Sequence, residues 1–299
     1  MNSYDLERKI IDFLLILNGT KKMYRTEKAA RHYFEKNRSV NALPYRAPAQ
    51  IKRDWEEISI DGIQCLTRKG KTETTIFYLH GGAYFLRPIK FHFMMLDDLA
   101  KATGFNIILP LYPLAPNHTF LEAYEKIQSV YEKTLAHLDI EKVILMGDSA
   151  GGGLALGLLQ SLAKQHLPTP KKLLLISPFL DITLTNPEIP VIEPVDRMLG
   201  SRGLREIGSI WANGTDPKDE RLSPIYGDLS CIDSIMITTG THDILNPDAV
   251  RLKNQLIKDQ KWIVYLEEPK LPHDFPLLPM RKARNAKSEM IKYLLAETR

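Results

Sequence analysis

The alternation of apolar and polar positions along the chain predicts strands separated by helices. Short apolar runs rich in β-branched and aromatic residues are typical of buried strands, and they occupy 74–79, 105–112, 143–146, 173–176, 235–239 and 262–266. Stretches with helical periodicity lie between them, at 91–102, 119–137, 150–165, 247–258 and from about 282 onward. Strands that alternate with such helices pair in parallel through right-handed crossovers. The pattern therefore predicts an α/β protein with a mostly parallel sheet covered by helices on both faces.

One hairpin and two irregular regions interrupt this rhythm. Asp61 and Gly62 separate two alternating runs within 55–67, a strong short-range hairpin signal that makes the predicted sheet mixed. Residues 1–50 are predicted to form amphipathic helices, and residues 181–230 contain many prolines and little periodicity. Since neither region has a place in the sheet, we expect both to form a cap over its C-terminal edge, where α/β sheets bind ligands. The core then comprises 51–180 and 231–299, and the whole chain is one catalytic unit.

Composition limits the partners of the chain more than its fold. The 299 residues are 44% hydrophobic and 25% charged, with a formal net charge of +4, which is ordinary for a soluble globular protein. The basic residues are scattered, so we expect no nucleic-acid partner. The apolar run at 10–17 is too short to cross a bilayer and contains Asp12, so we expect no signal peptide, no stable membrane insertion and a cytoplasmic location. Cys65 and Cys231 are predicted to be reduced thiols, and no zinc-binding spacing is present.

A serine flanked by glycines directly follows the strand at 143–146. Residues 147–151 read GDSAG, and a helix is predicted immediately after them. This strand–turn–helix context is what a nucleophile elbow requires, with the serine on a strained turn and small residues on both sides of it. The following helix also places its N-terminal N–H groups beside the serine. We therefore predict that Ser149 is the nucleophile of a hydrolase.

A second glycine-containing motif, HGGAY at 80–84, follows the strand at 74–79. Acyl transfer places negative charge on the former carbonyl oxygen, and preorganised main-chain N–H groups stabilise that charge. We predict that the N–H groups of Gly81, Gly82 and Ala150 form this oxyanion hole. His80 is predicted to brace the loop rather than to transfer protons.

A serine nucleophile needs a histidine base and a carboxylate that orients the base. Asp243 follows the strand at 235–239 and His273 follows the strand at 262–266, so both are expected at the sheet edge that holds Ser149. Asp248 is an alternative acid, but the helix dipole alone explains an acidic residue in the first turn of a helix. His242 is an alternative base, but it directly precedes Asp243, which could not easily orient it. We therefore predict Asp243 and His273.

Four aromatic residues close to these segments are candidates for the walls of a substrate pocket. They are Tyr84, Phe85, Trp211 and Phe275. Each of them fits a place in the core equally well.

Four motifs together resemble the hormone-sensitive-lipase branch of the α/β-hydrolases, the bacterial esterases with an HGG motif. They are HGGAY at 80–84, YPLAP at 112–116, GDSAGG at 147–152, and the segments GTHD and PHDF that hold Asp243 and His273. The resemblance implies the α/β-hydrolase fold with a cap in two parts. It also implies a carboxylesterase that acts on small-molecule esters with short to medium acyl chains, without a cofactor or metal, through Ser149, His273 and Asp243. By analogy with the family, a homodimer is expected through an edge strand near 262–267.

The chain departs from the family pattern at several positions. Ala83 stands where a third glycine is more common, but it offers the same main-chain N–H. Pro113 and Asn117 replace the usual arginine and glutamate, so a structural ion pair is expected to be absent. Asp274 stands where glycine is common, and a carboxylate there raises the pKa of His273 if it points inward.

Other functions remain open on the same machinery. Amidases, peptidases and lactonases share it, and fold does not determine substrate. A ligand receptor built on an inactive hydrolase, as the plant gibberellin receptors are, lacks the catalytic histidine, whereas Ser, Asp and His are all present here. An interfacial lipase would use the apolar face of residues 10–17 against lipid, but packing of that face on the sheet domain is the simpler interpretation. We favour the carboxylesterase.

Overall fold

The structure, a computed structural model, describes residues 3–48, 51, 54–136 and 138–297. The predicted cap at 1–50, the core segments at 51–180 and 231–299, and the helix at 119–137 each extend to or across residues that lie outside these ranges. Among the described residues, no helix combines the length and the apolarity that crossing a bilayer requires.

Eight strands in the described residues form one mixed sheet. They are β1 Glu56–Ile60, β2 Ile63–Arg68, β3 Thr75–Leu79, β4 Asn106–Pro110, β5 Val143–Asp148, β6 Lys172–Ile176, β7 Ser234–His242 and β8 Trp262–Pro272, in the spatial order β1-β2-β4-β3-β5-β6-β7-β8. β1 and β2 form the hairpin predicted at Asp61 and Gly62, β2 runs antiparallel to β4, and the other pairs are parallel. The prediction of a mostly parallel mixed sheet is confirmed.

Helices cover both faces of this sheet. They are α1 Ser3–Asn18, α2 Thr20–Tyr24, α3 Glu27–Asn41, α4 Lys90–Thr103, α5 Phe120–Leu135, α6 Ser149–Lys164, α7 Ile189–Ile192, α8 Ser201–Ala212, α9 Asn246–Lys258 and α10 Arg281–Leu295. The hydrophobic cluster on one face includes α4 and α10, and the cluster on the other includes α5, α6 and α9.

The central strand β3 shows how one apolar run serves both faces. Ile76 and Tyr78 belong to the cluster with α4 and α10, whereas Phe77 and Leu79 belong to the cluster with α5, α6 and α9. All four side chains are fully buried. Because successive side chains of a strand point to opposite faces, a continuous apolar run is the pattern of a parallel strand covered on both sides.

The cap is built from two distant parts of the chain. α3 packs against α8, and Arg31 of α3 forms an ion pair with Glu206 of α8 at 2.7 Å. Nζ of Lys21 in α2 also donates to the main-chain carbonyl of Asp196 at 2.7 Å. These contacts confirm a helical cap made from the N-terminus and an insertion after the sixth strand, while the exact limits at 50, 180 and 230 stay predictions.

The main difference from the predicted elements lies at the ends of β7 and β8. The sequence pattern ends these strands at 239 and 266, whereas the structure extends them to His242 and Pro272. A register shift separates Gly240 from His242 where the two strands pair, and His242 pairs with Pro272. The next residues, Asp243 and His273, therefore leave the sheet side by side. β8 is also an edge strand of the sheet, but a homodimer through it stays a prediction.

Candidate active site

Three side chains that follow three strands meet at the C-terminal edge of the sheet. Nε2 of His273 lies 2.9 Å from Oγ of Ser149, and Nδ1 of His273 lies 2.8 Å from Oδ2 of Asp243. Both are hydrogen-bond distances. All three side chains are buried. The arrangement can pass the serine proton to an imidazole that a carboxylate holds in orientation.

The turn between β5 and α6 holds Ser149 in position. Its φ of 50° is in the left-handed region, which is strained for a residue with a side chain. A Cβ atom on Gly151 would lie 2.0 Å from the main-chain oxygen of Leu79, and one on Gly147 would lie 2.3 Å from the main-chain oxygen of Gly151. Only glycine fits such close backbone approaches, which explains both glycines of the motif.

Asp243, and not the alternative acid Asp248, contacts the histidine. Oδ1 of Asp243 accepts the N–H of Leu245 at 2.9 Å, which leaves Oδ2 for the imidazole. Asp248 instead accepts a hydrogen bond from Nδ2 of Asn186 at 2.9 Å. Burial raises the pKa of Asp248 to about 6. Asp248 therefore belongs to the contact between α9 and the insertion.

A buried aspartate of the insertion fixes the loop that carries Asp243, and sequence reasoning missed it. Oδ1 of Asp196 accepts the N–H groups of Met198 and Leu199 at 2.7 and 2.8 Å, and Oδ2 accepts the N–H of Ile244 at 2.9 Å. Burial, and then the charge of Asp243, raise the pKa of Asp196 to about 6. One aspartate in a region without periodicity carries no sequence signal for this role.

The oxyanion hole predicted from Gly81 needs a correction. The N–H of Gly81 donates to Oδ1 of Asp148 at 2.8 Å and is therefore not directed at a substrate. Gly82 and Ala83 line the cavity beside Ser149, with φ angles of 120° and 49°. The main-chain N–H groups of Gly82, Ala83 and Ala150 are the better candidates. The predicted role of Ala83, a main-chain donor in place of a third glycine, fits this arrangement.

Asp148 ties the HGG loop at 80–84 to the turn that carries Ser149. Its Oδ1 also accepts the hydroxyl of Tyr78, and its Oδ2 lies 3.2 Å from Nε2 of His92. Burial disfavours the charged carboxylate, but His92, Tyr78 and the N–H of Gly81 outweigh it and lower the pKa of Asp148. A buried charge needs such partners. The network positions the turn that presents Ser149.

His80 lies under the same loop. Its ring stacks on Tyr112 with 4.5 Å between ring centres, and the hydroxyl of Tyr112 donates to the carbonyl of His80 at 2.6 Å. Nδ1 of His80 lies 2.7 Å from the carbonyl oxygen of Gly81. Burial lowers the pKa of His80 to about 4, so the ring is neutral near pH 7. These contacts suit a residue that braces the loop.

Asp274 is the residue that departs from the glycine common in the family that the sequence resembles. Its side chain points into the site. Its Oδ2 lies 3.1 Å from Nε2 of His273, and the side chain is 13% exposed. Its N–H donates to Oγ of Ser177 at 3.0 Å, and its φ is 50°, a conformation that suits glycine. Oδ1 of Asp274 is buried and has no hydrogen-bond partner among the described residues. A second carboxylate therefore faces the imidazole.

The two carboxylates bracket the imidazole and set its charge. Burial disfavours the charged form of His273, but Asp243 and Asp274 outweigh it and raise the pKa of His273 well above its usual value. Burial raises the pKa of Asp274 to about 7, against the opposing charge of His273. Because a histidine must be neutral to accept a proton from a serine, we expect an activity that depends on this transfer to rise with pH as His273 loses its proton.

We expect Asp274→Asn to move the acidic limb of the kcat/KM–pH profile to lower pH. The neutral amide no longer stabilises the imidazolium, so His273 loses its proton at lower pH. Profiles of both proteins on p-nitrophenyl acetate measure the shift. Asp248→Asn is the matched control, since it removes a buried carboxylate that does not contact His273 and should leave the limb in place. An unmoved limb in Asp274→Asn, or one moved to higher pH, contradicts this account of the charge.

The cavity beside Ser149 has a volume of about 170 Å³. Its lining is mostly apolar and combines cap and core residues, among them Tyr24, Leu86, Phe179, Met198, Leu204 and Leu277. The polar groups that reach it include Ser149, His273 and Asp274. The cavity can hold an apolar acyl or alkyl group next to Ser149.

The four predicted aromatic walls are not among the residues that line this cavity, and that expectation is corrected. All four side chains are at most 2% exposed. Tyr84 stacks on Trp211 with 5.0 Å between ring centres. The ring of Phe85 packs against the ring of Phe34 with 5.5 Å between ring centres. Phe275 lies in a separate hydrophobic cluster with residues of α1 and α10. These rings fill the core around the site.

Three further expectations concern features outside the triad. Nδ2 of Asn117 donates to the main-chain carbonyl of Arg38 at 3.1 Å, so a neutral hydrogen bond links this position to α3. Cys65 and Cys231 are free thiols. In the part of the chain that the structure describes, no group of three or more His, Cys, Asp or Glu side chains is arranged to hold a metal ion.

Comparison with known proteins gives consistent matches. A family model described as the alpha/beta hydrolase fold matches residues 76–277. The chain is 33% identical over 217 residues to an esterase of Acinetobacter venetianus, covering 71% of this chain and 70% of that protein. It is 30% identical over 210 residues to an acetyl-hydrolase of Streptomyces hygroscopicus, covering 69% of this chain and 70% of that protein.

Solved structures agree with the sequence matches. A crystal structure from Staphylococcus aureus, provisionally described as an esterase, superposes with a TM-score of 0.89 at 30% identity, covering 94% of this chain and 97% of that one. An esterase from the bacterial hormone-sensitive lipase family superposes with a TM-score of 0.82 over the full length of both chains. The two sequences are 22% identical, so this superposition shows only that the two chains share a fold.

Proposed function

We propose that this chain, which belongs to the α/β-hydrolase family and is a serine hydrolase of ester bonds, is a member of the hormone-sensitive-lipase-like branch and hydrolyses short to medium acyl esters through an acyl-enzyme on Ser149. The observation that carries this proposal is the continuous path from Oγ of Ser149 to Nε2 of His273 at 2.9 Å and from Nδ1 to Asp243 at 2.8 Å. A serine hydroxyl is a weak nucleophile at neutral pH, and such a path activates it.

In the first half of the reaction, Oγ of Ser149 attacks the ester carbonyl carbon while Nε2 of His273 takes the hydroxyl proton. Asp243 stabilises the imidazolium that forms. The oxyanion accepts hydrogen bonds from the N–H groups of Gly82, Ala83 and Ala150. The imidazolium then gives its proton to the alcohol oxygen as the carbon–oxygen bond breaks, and the acyl group stays on Ser149.

In the second half, water takes the place of the alcohol. His273 removes a proton from the water as it attacks the acyl carbonyl carbon, and the imidazolium returns the proton to Oγ of Ser149 when the acid leaves. Both halves need a neutral His273 at the moment of attack. Asp274 does not take part in either transfer in this mechanism; its carboxylate holds the proton on Nε2 more tightly in the free enzyme.

The cavity supports a small substrate. Ligand pockets commonly have volumes of about 300–1,000 Å³, and the cavity at Ser149 has about 170 Å³. An apolar space of this size favours short acyl chains, and long chains would have to displace cap residues such as Met198 and Leu204.

A series of p-nitrophenyl esters of increasing acyl length tests the substrate class. We expect kcat/KM to be highest within the range from acetate to hexanoate and to fall at least about tenfold by dodecanoate. A chain that is too long for an apolar pocket loses transition-state binding of this order. p-Nitroacetanilide and a γ-lactone at equal concentration test the amidase and lactonase alternatives, and we expect slower turnover of both. Faster turnover of the anilide or the lactone, or a preference for dodecanoate, contradicts the proposal.

A further inference from the structure

The outward face of α1 carries six large apolar side chains that the rest of the described chain leaves open. They are Leu6, Ile10, Phe13, Leu14, Ile16 and Leu17, each between 46% and 64% exposed. Most of them recur at intervals of three or four residues and so form one stripe along the helix. Monomeric soluble proteins rarely expose a continuous apolar patch of this kind without a function.

This stripe is not needed to attach α1 to the core. Ile11 and Leu15, on the opposite side of the helix, are 7% and 8% exposed and pack in a cluster with Phe275 and Met280. The sequence analysis expected the apolar face of residues 10–17 to pack on the sheet domain. This expectation holds for Ile11 and Leu15 and is wrong for the exposed apolar residues of the same run. The outward apolar face needs a separate explanation.

A basic groove of about 270 Å³ adjoins the C-terminal end of this face. Four cationic side chains line it together with Ile16 and its neighbours in α1: Lys21, Lys22, Arg25 and Arg197. No acidic residue is part of the lining. Within the described ranges, none of the four cations pairs with a carboxylate.

The two acidic residues of the insertion that Lys21 contacts use their carboxylates in other hydrogen bonds. The carboxylate of Glu193 accepts the N–H and the hydroxyl of Ser201, both at 2.8 Å. The carboxylate of Asp196 accepts main-chain N–H groups under the cap, and Lys21 meets only the main-chain carbonyls of these two residues. Cations without carboxylate partners at the lining of this groove favour an anionic ligand.

We propose that the outward face of α1 and the basic groove together form a docking surface for membranes that contain anionic phospholipids. A helix that combines an open apolar face with adjacent cations lies in the plane of a membrane, where its apolar side chains enter the boundary of headgroups and acyl chains and its cations meet lipid phosphates. This is peripheral binding and requires no spanning helix.

The position of α2 links this surface to the catalytic cavity. Thr20 and Tyr24 line the cavity at Ser149, whereas Lys21 and Lys22 line the basic groove. A membrane docked on α1 therefore lies beside the cap residues that border the catalytic cavity. Docking itself does not depend on turnover, so it can be tested apart from the proposed esterase activity.

Co-sedimentation with phosphatidylcholine vesicles, with and without phosphatidylglycerol, tests the proposal. We expect the chain to bind the mixed vesicles and to lose this binding as salt is raised. Phe13→Ser combined with Leu17→Ser should weaken binding about tenfold or more, since both side chains lose their apolar contact. Lys22→Glu combined with Arg25→Glu should remove the preference for phosphatidylglycerol.

Matched variants separate this surface from general changes. Ile257→Ser with Leu295→Ser removes two exposed apolar side chains from α9 and α10, and Lys101→Glu removes an exposed cation from α4; we expect wild-type binding from both. Ser149→Ala should also bind like the wild type, so that a failed esterase assay and a failed docking assay remain distinct. The α1 variants should keep wild-type kcat/KM on p-nitrophenyl acetate.

Three outcomes overturn the proposal. The first is no binding of the wild type to the mixed vesicles. The second is equal binding by the wild type and the α1 or the cation variants. The third is a dimer in analytical ultracentrifugation that Phe13→Ser with Leu17→Ser dissociates, without any vesicle binding, because the face would then be covered by a second copy of the chain.

Discussion

Ser149→Ala is expected to lower kcat/KM on p-nitrophenyl butyrate by about 10⁴-fold or more. The substitution removes the atom that attacks the carbonyl and leaves the cavity and the main-chain donors in place. What remains is the modest acceleration that binding and the oxyanion hole supply without a nucleophile. Steady-state kinetics on protein of unchanged thermal stability measure the loss. Adding His273→Ala to Ser149→Ala should cost little more, because the two residues act as one unit.

Ser161→Ala is the control for this experiment. Ser161 lies on the same helix, is also buried, and donates its hydroxyl to the main-chain carbonyl of Gly157 at 2.7 Å. It does not line the cavity at Ser149, so we expect activity close to that of the wild type. If Ser149→Ala kept most of its activity, or if Ser161→Ala lost as much, Ser149 would not be the nucleophile.

Asp243→Asn is expected to lower kcat by about 10⁴-fold, with little change in KM. The carboxylate accepts a hydrogen bond from the Nδ1–H of His273 at 2.8 Å, and an amide in its place favours the wrong tautomer of the ring and no longer stabilises the imidazolium. The amide oxygen can still accept the N–H of Leu245, so the loop should keep its conformation. Circular dichroism and thermal unfolding check that the fold is intact.

Asp248→Asn is the matched control for Asp243→Asn. Both aspartates are almost fully buried and lie within the same segment after β7. Asp248 contacts Asn186 and not the histidine, so its variant should keep a kcat close to that of the wild type. The opposite order of effects would identify Asp248 as the acid and contradict the arrangement described here.

The convergence of Ser149, Asp243 and His273 could be predicted from sequence because each of them follows a strand. The C-terminal ends of parallel strands meet at one edge, so residues distant in sequence converge there. Ser149 follows β5, Asp243 follows β7 and His273 follows β8. The glycines beside Ser149 added a local signal, since only a tight turn explains them.

The donors of the oxyanion hole could not be predicted in the same way. Whether the N–H of Gly81 is available depends on Asp148, which is 67 residues away along the chain. The apolar or polar pattern around Gly81 contains no information about that contact. The prediction therefore named a loop that lines the cavity at Ser149, and the structure shifts the candidate donors by one residue to Gly82 and Ala83.

The strand ends and the pocket walls depend on tertiary packing. β8 continues through Glu267 and Glu268 because they pair with Thr239 and Gly240 of β7, although their polarity ends the sequence pattern. An aromatic side chain such as Trp211 can fill a core or line a cavity, and residue type does not distinguish the two. Periodicity likewise predicts that α1 is amphipathic without showing which of its two apolar faces is buried.

Labelling with a fluorophosphonate, followed by mass spectrometry of the digested protein, tests most directly whether the three side chains form one catalytic unit around Ser149. We predict a single phosphonyl adduct on Ser149, formed more slowly at acidic pH where His273 keeps its proton, and greatly slowed by Asp243→Asn. An adduct on another residue would contradict the account. So would an unlabelled protein that continues to hydrolyse esters.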